Sequence, residues 1–469
     1  MLKITASAKG LTESPKKYTR FVTTEESHAK HRFIEAADGT TTYKTGIGKY
    51  AEIDARGFRT IIRSLVQAAK GHEIEAFAIE LDFTKFPKLA TYGEAWFLST
   101  IAENLALATY EFTTYKTKEK KKPLRDILLC GVVSKAAKQG FDRGTTVADY
   151  INRARDIANT PGCDLSPAEL GEEAKKLMKG TKVMVKVLGE SELKKLKMGA
   201  LLAVGAGTQS ESKLIVAEYW GAGKTSKVKP LVLVGKGITY DTGGLNVKPS
   251  GFMHDMHMDM SGGSAVLAAL AAAAKLGLKK NIIALVPTAE NAISDDAMRA
   301  GDIVTAMNGT TIEVLHTDAE GRMVLADALT YSERYNPRAI IDVATLTGAA
   351  LAALGQHASA IMTKDEDLQK TLCELGEESG DLAWPLPLWD EYKQHIKSHR
   401  ADISNIATNF SRYGGSIEGG TFLAHFVPKN VPWAHLDIAP RMDSIPSDKL
   451  AKGSTGEPVR LLVSFLEQY

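Results

Sequence analysis

Charged residues crowd into the segment VLHTDAEGRMVLADAL, residues 314–329, where a strand-like apolar run meets a helix-like one. Asp318, Glu320 and Arg322 stand there at every second position. Beside an apolar core such charges need partners, because burying them unpaired is costly. One explanation is structural: the side chains could cap the helix and form an ion pair. The other is chemical, since carboxylates and a guanidinium suit the binding of metal ions and anions.

Further ionisable residues lie in glycine-containing loops that follow other apolar segments. They are Lys236 and Asp241 in KGITYDTGG, Lys248 in LNVKPSG, and Asp259 just ahead of an alanine-rich run. Ligands of open α/β sheets bind beyond the C-terminal ends of the strands. These side chains are therefore predicted to converge with residues 318–322 on one edge of a sheet.

Four carboxylates on one edge, those of Asp241, Asp259, Asp318 and Glu320, would repel one another unless cations compensate them. Two divalent metal ions about 3.5–4 Å apart that share carboxylates are the usual arrangement for hydrolysis. Lys236 could join as a neutral amine ligand, because a metal's charge can displace its proton. Such donors admit zinc, manganese, magnesium or cobalt.

The remaining cations have other assignments. Lys248 would polarise a substrate oxygen, and Arg322 lies at a helix start, where free N–H groups favour an anion. His254 and His257, in MHDMHMD, form a competing ligand set. They are expected instead at the surface or behind the ligands.

The composition favours a soluble globular protein over a nucleic-acid or membrane partner. The chain has 469 residues, 44% of them hydrophobic, and a formal net charge of +2, which predicts a large core in two domains. The charged segment KTKEKKKP, residues 116–123, is interpreted as a solvated turn, because no aromatic residues are interleaved for stacking on bases. The lack of a paired cysteine motif and of an apolar leader predicts the cytoplasm.

The order of apolar segments predicts an α/β fold with a smaller N-terminal domain, residues 1–145. Residues 146–163 are predicted to form a connecting helix that Thr145 or Thr146 caps. Residues 164–469 would form the larger domain, where continuous apolar strands indicate a mostly parallel sheet flanked by helices. Its predicted strands are KVMVKVL, KLIVAEYW, PLVLVG, NIIALVP, TIEVLHT, AIIDVATL and AHLDIA.

Four segments together resemble the signature segments of the leucyl (cytosol) aminopeptidase family. They are GKGITYDTGGLNVK, the DM before SGG, TDAEGR and ATLTGA. The match covers residues 164–469 in the family's order and spacing, and several motifs at fixed separations are more specific than one. The resemblance implies a two-domain, metal-dependent aminopeptidase that hydrolyses the N-terminal peptide bond.

The resemblance also implies which residues hold the metal ions, with zinc or manganese the first expectation. Lys236, Asp241, Asp259 and Glu320 would bind the tighter ion. Asp241, Asp318 and Glu320 would bind the more exchangeable one. Both ions would activate a bridging hydroxide, and the substrate's free α-amine would bind the tighter ion and Asp259.

Other residues receive roles by the same resemblance. Lys248 would stabilise the carbonyl oxygen as it becomes an oxyanion, and Arg322 would hold a bicarbonate ion that carries protons. His316 would border the pocket for the residue after the scissile bond. The pocket for the first side chain would be lined by Met256, Thr345 and Gly348. The family's homohexameric assembly is a further implication.

Three departures from the family pattern bear on specificity and packing. Asparagine is usual at the position of His316, which affects the leaving-side preference. DMSGGS stands where DMGGAA is common, beside Asp259. Glu418, in SIEGGTFLAHF, falls where the pocket for the first side chain is partly built, and the hypothesis is that it favours basic first residues.

The sequence thus predicts an aminopeptidase acting on peptides with a free N-terminus, and leucine-like or other apolar first residues are the default expectation. The alternative of a different class is a catalytically weak member that acts as a binding or assembly protein and contacts DNA. Lys248 and Arg322 argue against that alternative, because binding alone does not need both.

Overall fold

The computed structural model describes residues 3–28, 30–118, 124–410 and 413–469. Most of the charged segment 116–123 lies outside the described residues, so its interpretation as a solvated turn stays a prediction.

Contacts divide the described chain into two compact units. One is the chain up to Asn152 together with Ser444–Lys452, and the other is Arg153–Asp443 together with Gly453–Tyr469. The division along the chain falls within a long helix. The domain boundaries at 145 and 163 stay predictions.

The first unit combines a mostly parallel sheet with helices. Its strands are β1 (Lys3–Ala6), β2 (Thr19–Thr24), β3 (His31–Glu35), β4 (Thr41–Gly46), β5 (Ala76–Ile79) and β6 (Asp126–Leu129). Its helices are α1 (Ala55–Gly71), α2 (Gly93–Thr109) and the first part of α3 (Lys135–Asn159). The described strands lie in the order β1-β6-β5-β2-β4-β3, and the pairing of β3 with β4 is antiparallel. The segment Ser444–Lys452 belongs to this unit, where Arg63 Nη1 donates to Asp448 O at 3.0 Å.

The prediction that Thr145 or Thr146 caps the connecting helix is wrong. The helix α3 begins earlier, at Lys135. Both threonine hydroxyls donate to the backbone carbonyl of Asp142, at 3.1 and 2.7 Å, as threonines inside a helix do.

Gly140 and Gly144 lower the helix propensity of this segment, yet their lack of a side chain allows a tight packing contact that keeps it helical. A Cβ at Gly140 would lie 2.1 Å from the carbonyl oxygen of Ala95, and one at Gly144 would lie 2.2 Å from that of Ser99. The glycines therefore allow α3 to pack directly on the backbone of α2, and this contact outweighs the local preference.

The second unit contains the predicted larger sheet. Its strands are β7 (Met184–Leu188), β8 (Lys213–Trp220), β9 (Leu231–Gly235), β10 (Gly237–Asp241), β11 (Asn281–Asn291), β12 (Ile303–Thr305), β13 (Thr311–Glu313), β14 (Ala339–Ala344), β15 (Ser359–Thr363), β16 (Ala383–Pro385), β17 (Ile403–Ser404) and β18 (Trp433–Asp437). Its helices, besides the end of α3, are α4 (Pro167–Leu177), α5 (Glu190–Lys195), α6 (Gly199–Val204), α7 (Ser261–Lys275), α8 (Glu320–Ser332), α9 (Gly348–Leu354), α10 (Glu366–Ser379), α11 (Gly415–Ala424) and α12 (Val459–Gln468).

The main sheet runs in the order β16-β15-β18-β14-β9-β11-β8-β7, with β10 also paired to β11. The central strands β18, β14, β9 and β11 are mutually parallel. Every residue of β9, β14 and β18 is buried, because helices such as α7 and α8 cover the sheet. The predicted α/β fold, with a mostly parallel sheet flanked by helices, is confirmed.

One predicted strand of this sheet is misplaced. Within TIEVLHT only β13 is extended, and it pairs with β12 and β17 in a separate small sheet. The chain then leaves the strand, because Asn405 Oδ1 accepts from the N–H of Leu315 at 2.8 Å and its Nδ2 donates to His316 O at 2.7 Å. An apolar pattern cannot tell which sheet a strand joins. Among the described helices, none is long and apolar enough to cross a membrane.

Candidate metal centre

Four neighbouring strands end at one edge of the main sheet. Lys236 directly follows β9, and Thr345 directly follows β14. Asp241 ends β10 and Asn291 ends β11, and these two residues are partners in the parallel pairing of the strands. The strand ends therefore bring together side chains that are far apart in sequence, as expected for this class of sheet.

The ammonium group of Lys236 lies among buried carboxylates. Its Nζ is 2.7 Å from Asp259 Oδ2 and 2.7 Å from Glu320 Oε1, and it donates to Thr345 O at 3.1 Å. Burial lowers the pKa of Lys236, but Asp259, Glu320 and Asp241 outweigh burial and raise it above its ordinary value. Lys236 is thus a counter-ion here and would have to lose its proton to bind a metal ion.

Lys248 bridges two further carboxylates. Its Nζ is 2.7 Å from Asp241 Oδ2 and 2.5 Å from Asp318 Oδ1. Burial lowers the pKa of Lys248, whereas Asp241, Glu320 and Asp318 raise it to a net value above the ordinary one. All four predicted carboxylates therefore lie within reach of one of two lysines.

The charges of this cluster do not balance. Four ionised carboxylates against the two ammonium groups would leave a net charge of −2. Burial raises the pKa of Asp259, Glu320 and Asp318 above their ordinary values, and repulsion from neighbouring carboxylates raises it further. The two lysines act in the opposite direction but do not cancel these effects. Additional positive charge would stabilise the ionised cluster.

Two observations indicate that these residues are suited to hold metal ions. Asp241, Asp259 and Glu320 each offer an oxygen, and these oxygens lie within 4.8 Å of one another. Asp259 Oδ2 and Glu320 Oε1 are buried and receive no hydrogen bond within the described structure. Lys236 Nζ, at 2.7 Å from both oxygens, is an ion-pair partner of each without a hydrogen bond to either. Buried oxygens without donors are suited to a cation.

Neither helix capping by Asp318 and Glu320 nor metal binding by His254 and His257 is supported. The residue that caps α8 is Ala319, without a side-chain hydrogen bond, so Asp318 and Glu320 are not helix caps. The three-carboxylate group contains neither His254 nor His257. The side chain of His254 is 82% exposed, which agrees with the expectation of a surface position.

The predicted pocket residues differ in burial. Thr345 is buried, and its hydroxyl donates to Asp259 Oδ1 at 2.7 Å. Met256 and His316 are half-buried. Gly348, the first residue of α9, is exposed, and a Cβ there would contact nothing within 4 Å. Burial lowers the pKa of His316, and the charges of Lys248 and Arg322 lower it further.

Arg322 is buried in the first turn of α8. Its Nη1 donates to Asn405 O at 2.8 Å, while its Nε has no hydrogen-bond partner in the described structure. Burial lowers the pKa of Arg322, and the carboxylates of Glu418, Glu320 and Asp437 act against this effect.

The sequence analysis missed two residues that shape the cluster. Asn291 Nδ2 donates to Asp241 Oδ1 at 2.8 Å. The predicted strand ended at Pro287, whereas β11 continues to Asn291. The signal that could have identified Asn291 was a polar residue at the end of a longer strand. Gly321 makes room for Lys236, because a Cβ there would lie 2.6 Å from Lys236 Cε.

Replacing Asn291 with alanine is expected to weaken metal binding by about 10–100-fold, as loss of a hydrogen bond to a ligand does. Asp241 Oδ1 would lose one of its two donors and keep only the N–H of Gly243, at 2.9 Å. In a metal titration followed by activity, the midpoint should shift to a higher metal concentration, and activity should recover at saturation. An unchanged titration midpoint would show that Asn291 does not orient Asp241.

Comparisons with known proteins identify relatives of this chain. Models of the cytosol aminopeptidase family match its catalytic domain to residues 152–463 and its N-terminal domain to residues 43–119. A probable cytosol aminopeptidase of Azoarcus sp. (strain BH72) is 42% identical over 426 residues, which is 90% of this chain and 83% of that protein. One of Nitrosococcus oceani is 46% identical over 367 residues, 77% of this chain and 72% of that protein.

A solved structure extends the likeness to three dimensions. The bottromycin maturation enzyme BotP in complex with Mn superposes with a TM-score of 0.84 at 30% sequence identity, covering 96% of this chain and 98% of that one. The resemblance seen in the sequence motifs is confirmed over both domains. The chain belongs to the cytosol aminopeptidase family, whose members are metal-dependent hydrolases of peptides.

Proposed function

We propose that this chain removes the first residue of peptides by using two divalent metal ions. The observation that carries the proposal is the buried group of Asp241, Asp259 and Glu320, with two oxygens that lack hydrogen bonds. Lys236, Asp241, Asp259 and Glu320 would hold the tighter ion. Asp241, Asp318 and Glu320 would hold the exchangeable one. When bound, the ions supply positive charge that activates water and polarises the scissile carbonyl.

The chain's own side chains bind and orient the substrate in this proposal. Asp259 would receive the free α-amine, which selects for an N-terminus. Lys248 would donate to the carbonyl oxygen as its negative charge develops, in a buried setting where such a donor is effective. Thr345, Met256 and Gly348 would contact the first side chain, and His316 would border the residue that leaves.

The finer assignments are part of the same proposal. Leucine-like or other apolar first residues are expected. Zinc and manganese are the expected metals, and the Mn complex of BotP supports manganese. A cytoplasmic homohexamer is expected from the family. Bicarbonate at Arg322 would be a proton carrier, and the unpartnered Nε supports an anion there.

The deciding experiment measures leucine release from a leucyl chromogenic amide and from its N-acetylated form. The protein is stripped with a chelator, and zinc or manganese is then restored. Cleavage is expected only with restored metal and only for the free amine, because the α-amine is the proposed anchor.

Cleavage of both amides at similar rates would contradict the amine anchor. Failure to cleave any amino-acyl amide, despite bound metal, would contradict the proposed function. It would favour the alternative of a binding protein, for which filter binding to DNA across salt concentrations is the test, because phosphate contacts give a steep salt dependence.

A further inference from the structure

A cavity of about 720 Å³ lies in the second unit, away from the metal cluster. It is lined by residues that follow β15, by the last turn of α11 and by the loop that leads into β18. Trp433 begins β18 and lines the cavity, whereas Asp437 ends that strand. Because β18 is parallel to β14 and β9, Asp437 lies at the edge of the sheet that carries the metal cluster. The cavity therefore lies at the opposite edge.

The inner wall of the cavity combines apolar side chains with a polar group. Leu388 and Trp433 are buried there, and Val427 and Val431 are half-buried. Thr421, which is 3% exposed, also lines the cavity, and its hydroxyl has no hydrogen-bond partner among the described residues. A buried hydroxyl without a partner is unfavourable. The wall therefore suits a ligand with an apolar body that brings a polar atom to Thr421.

The rim of the cavity is positively charged. Lys364, Lys393 and Lys429 line it and are exposed. Asp390 pairs with Lys364 and, at 2.9 Å, with Lys393, and Asp365 also lines the cavity. Lys429 has no ion-pair partner in the part of the chain that the structure describes. Three ammonium groups against two carboxylates leave one positive charge, which favours an anion.

The size of this charge indicates which anion fits. His425 also lines the cavity, but partial burial lowers its pKa and the charge of Lys393 lowers it further. The imidazole is therefore neutral near pH 7 and leaves the net charge unchanged. A phosphate group carries about −1.5 to −2 at this pH, whereas a carboxylate carries a single negative charge and matches the rim.

We infer that this cavity is a second binding site, which takes a small organic molecule with an apolar body and one carboxylate. The carboxylate would lie among the three lysines of the rim, and the apolar body would contact Leu388, Val427 and Trp433. The volume is within the range of about 300–1,000 Å³ that is usual for small-molecule sites. The inference does not rest on the proposed function, because none of the proposed metal ligands lines the cavity.

The first test uses isothermal titration calorimetry with three probes of the same carbon skeleton: phenylbutyrate, phenylbutanol and phenylbutylamine. Phenylbutyrate should bind the metal-loaded full chain with a Kd of about 0.1–1 mM, as expected for a ligand of this size. It should bind about tenfold more tightly than the amine, because the rim is positive. Protein stripped of metal should bind it equally well within about twofold, since the cavity is remote from the metal cluster.

Variants then locate the binding. Lys429→Met should weaken phenylbutyrate binding by about 2–5-fold, as expected for an exposed charge. Val431→Trp should abolish binding by filling the cavity. The matched control is Lys370→Met, an exposed lysine on α10 that does not line the cavity. Circular dichroism should show that all three variants are folded.

The role of Thr421 has its own test. A phenylbutyrate that carries a hydroxyl on its ring should bind wild type about 2–10-fold more tightly than phenylbutyrate does, because the buried hydroxyl gains a partner. Thr421→Val keeps the shape of the side chain, and the gain should vanish in this variant.

Several results would overturn the inference. One is an equal affinity of the three probes, and another is binding of phenylbutyrate only by the metal-loaded protein, which would place it at the metal cluster. Neither result depends on the folding of a variant. Unchanged binding in both Lys429→Met and Val431→Trp, or no binding of phenylbutyrate below about 10 mM, would do the same.

Discussion

Replacing Glu320 with glutamine is expected to lower kcat/KM of the metal-loaded protein by about 10³-fold, since both proposed metal ions lose a shared ligand. Glu320 is 1% exposed, and its Oε1 lies 2.7 Å from Lys236 Nζ without a hydrogen bond. The amide keeps the shape of the carboxylate but removes its charge. Metal content per chain, measured by elemental analysis after gel filtration, should fall together with activity.

The matched control for this variant is Glu333→Gln, because Glu333 is an exposed glutamate at the other end of α8. It should retain metal and activity, and circular dichroism should show that both variants are folded. A Glu320→Gln protein that keeps its metal and its activity would exclude Glu320 as a shared ligand.

Replacing Lys248 with methionine should have the second largest effect, a fall in kcat of about 10²–10³-fold, as loss of an oxyanion donor typically causes. Metal content should be unchanged or higher, because the ammonium now pairs with Asp241 and Asp318 at 2.7 and 2.5 Å and competes with cations for them. Methionine is a flexible, unbranched side chain of similar length that carries no charge. The variant therefore separates metal binding from the stabilisation of the substrate oxygen.

The measurements are kcat and KM for a leucyl amide, together with metal analysis of the same sample. Lys275→Met, at the exposed end of α7, is the control. If Lys248→Met loses metal and activity in the same proportion, Lys248 serves only the charge balance of the cluster, and the oxyanion role is wrong.

Local patterns in the sequence predicted the fold class and identified the candidate residues of the carboxylate and lysine cluster. Strands such as β8, β9 and β14 coincide closely with their apolar runs, because burial on both faces requires a continuous apolar sequence. Lys236 and Asp241 were found because strand ends followed by glycine-containing loops are recognisable within a few residues. The resemblance of four spaced motifs then indicated the family.

Other features could not be predicted because they depend on residues distant in sequence. The start of α3 was missed since Gly140 and Gly144 are helical only through close packing on α2. The strand β13 was assigned to the wrong sheet since its partners, β12 and β17, are too short to recognise as strands.

The sequence by itself thus determined the chemical groups that this protein can use: four carboxylates, two lysines and an arginine beside an apolar sheet. Only the tertiary structure decided how they pair. Asn291 orients Asp241 across 50 residues, Lys248 meets Asp318 across 70, and Asn405 holds Arg322 across 83. Gly419 of α11 lies beside Arg322, where an added Cβ would be 3.5 Å from Nη2. The physical reason is that side-chain chemistry is a property of each residue, whereas distance, burial and charge compensation arise when strands and helices pack together.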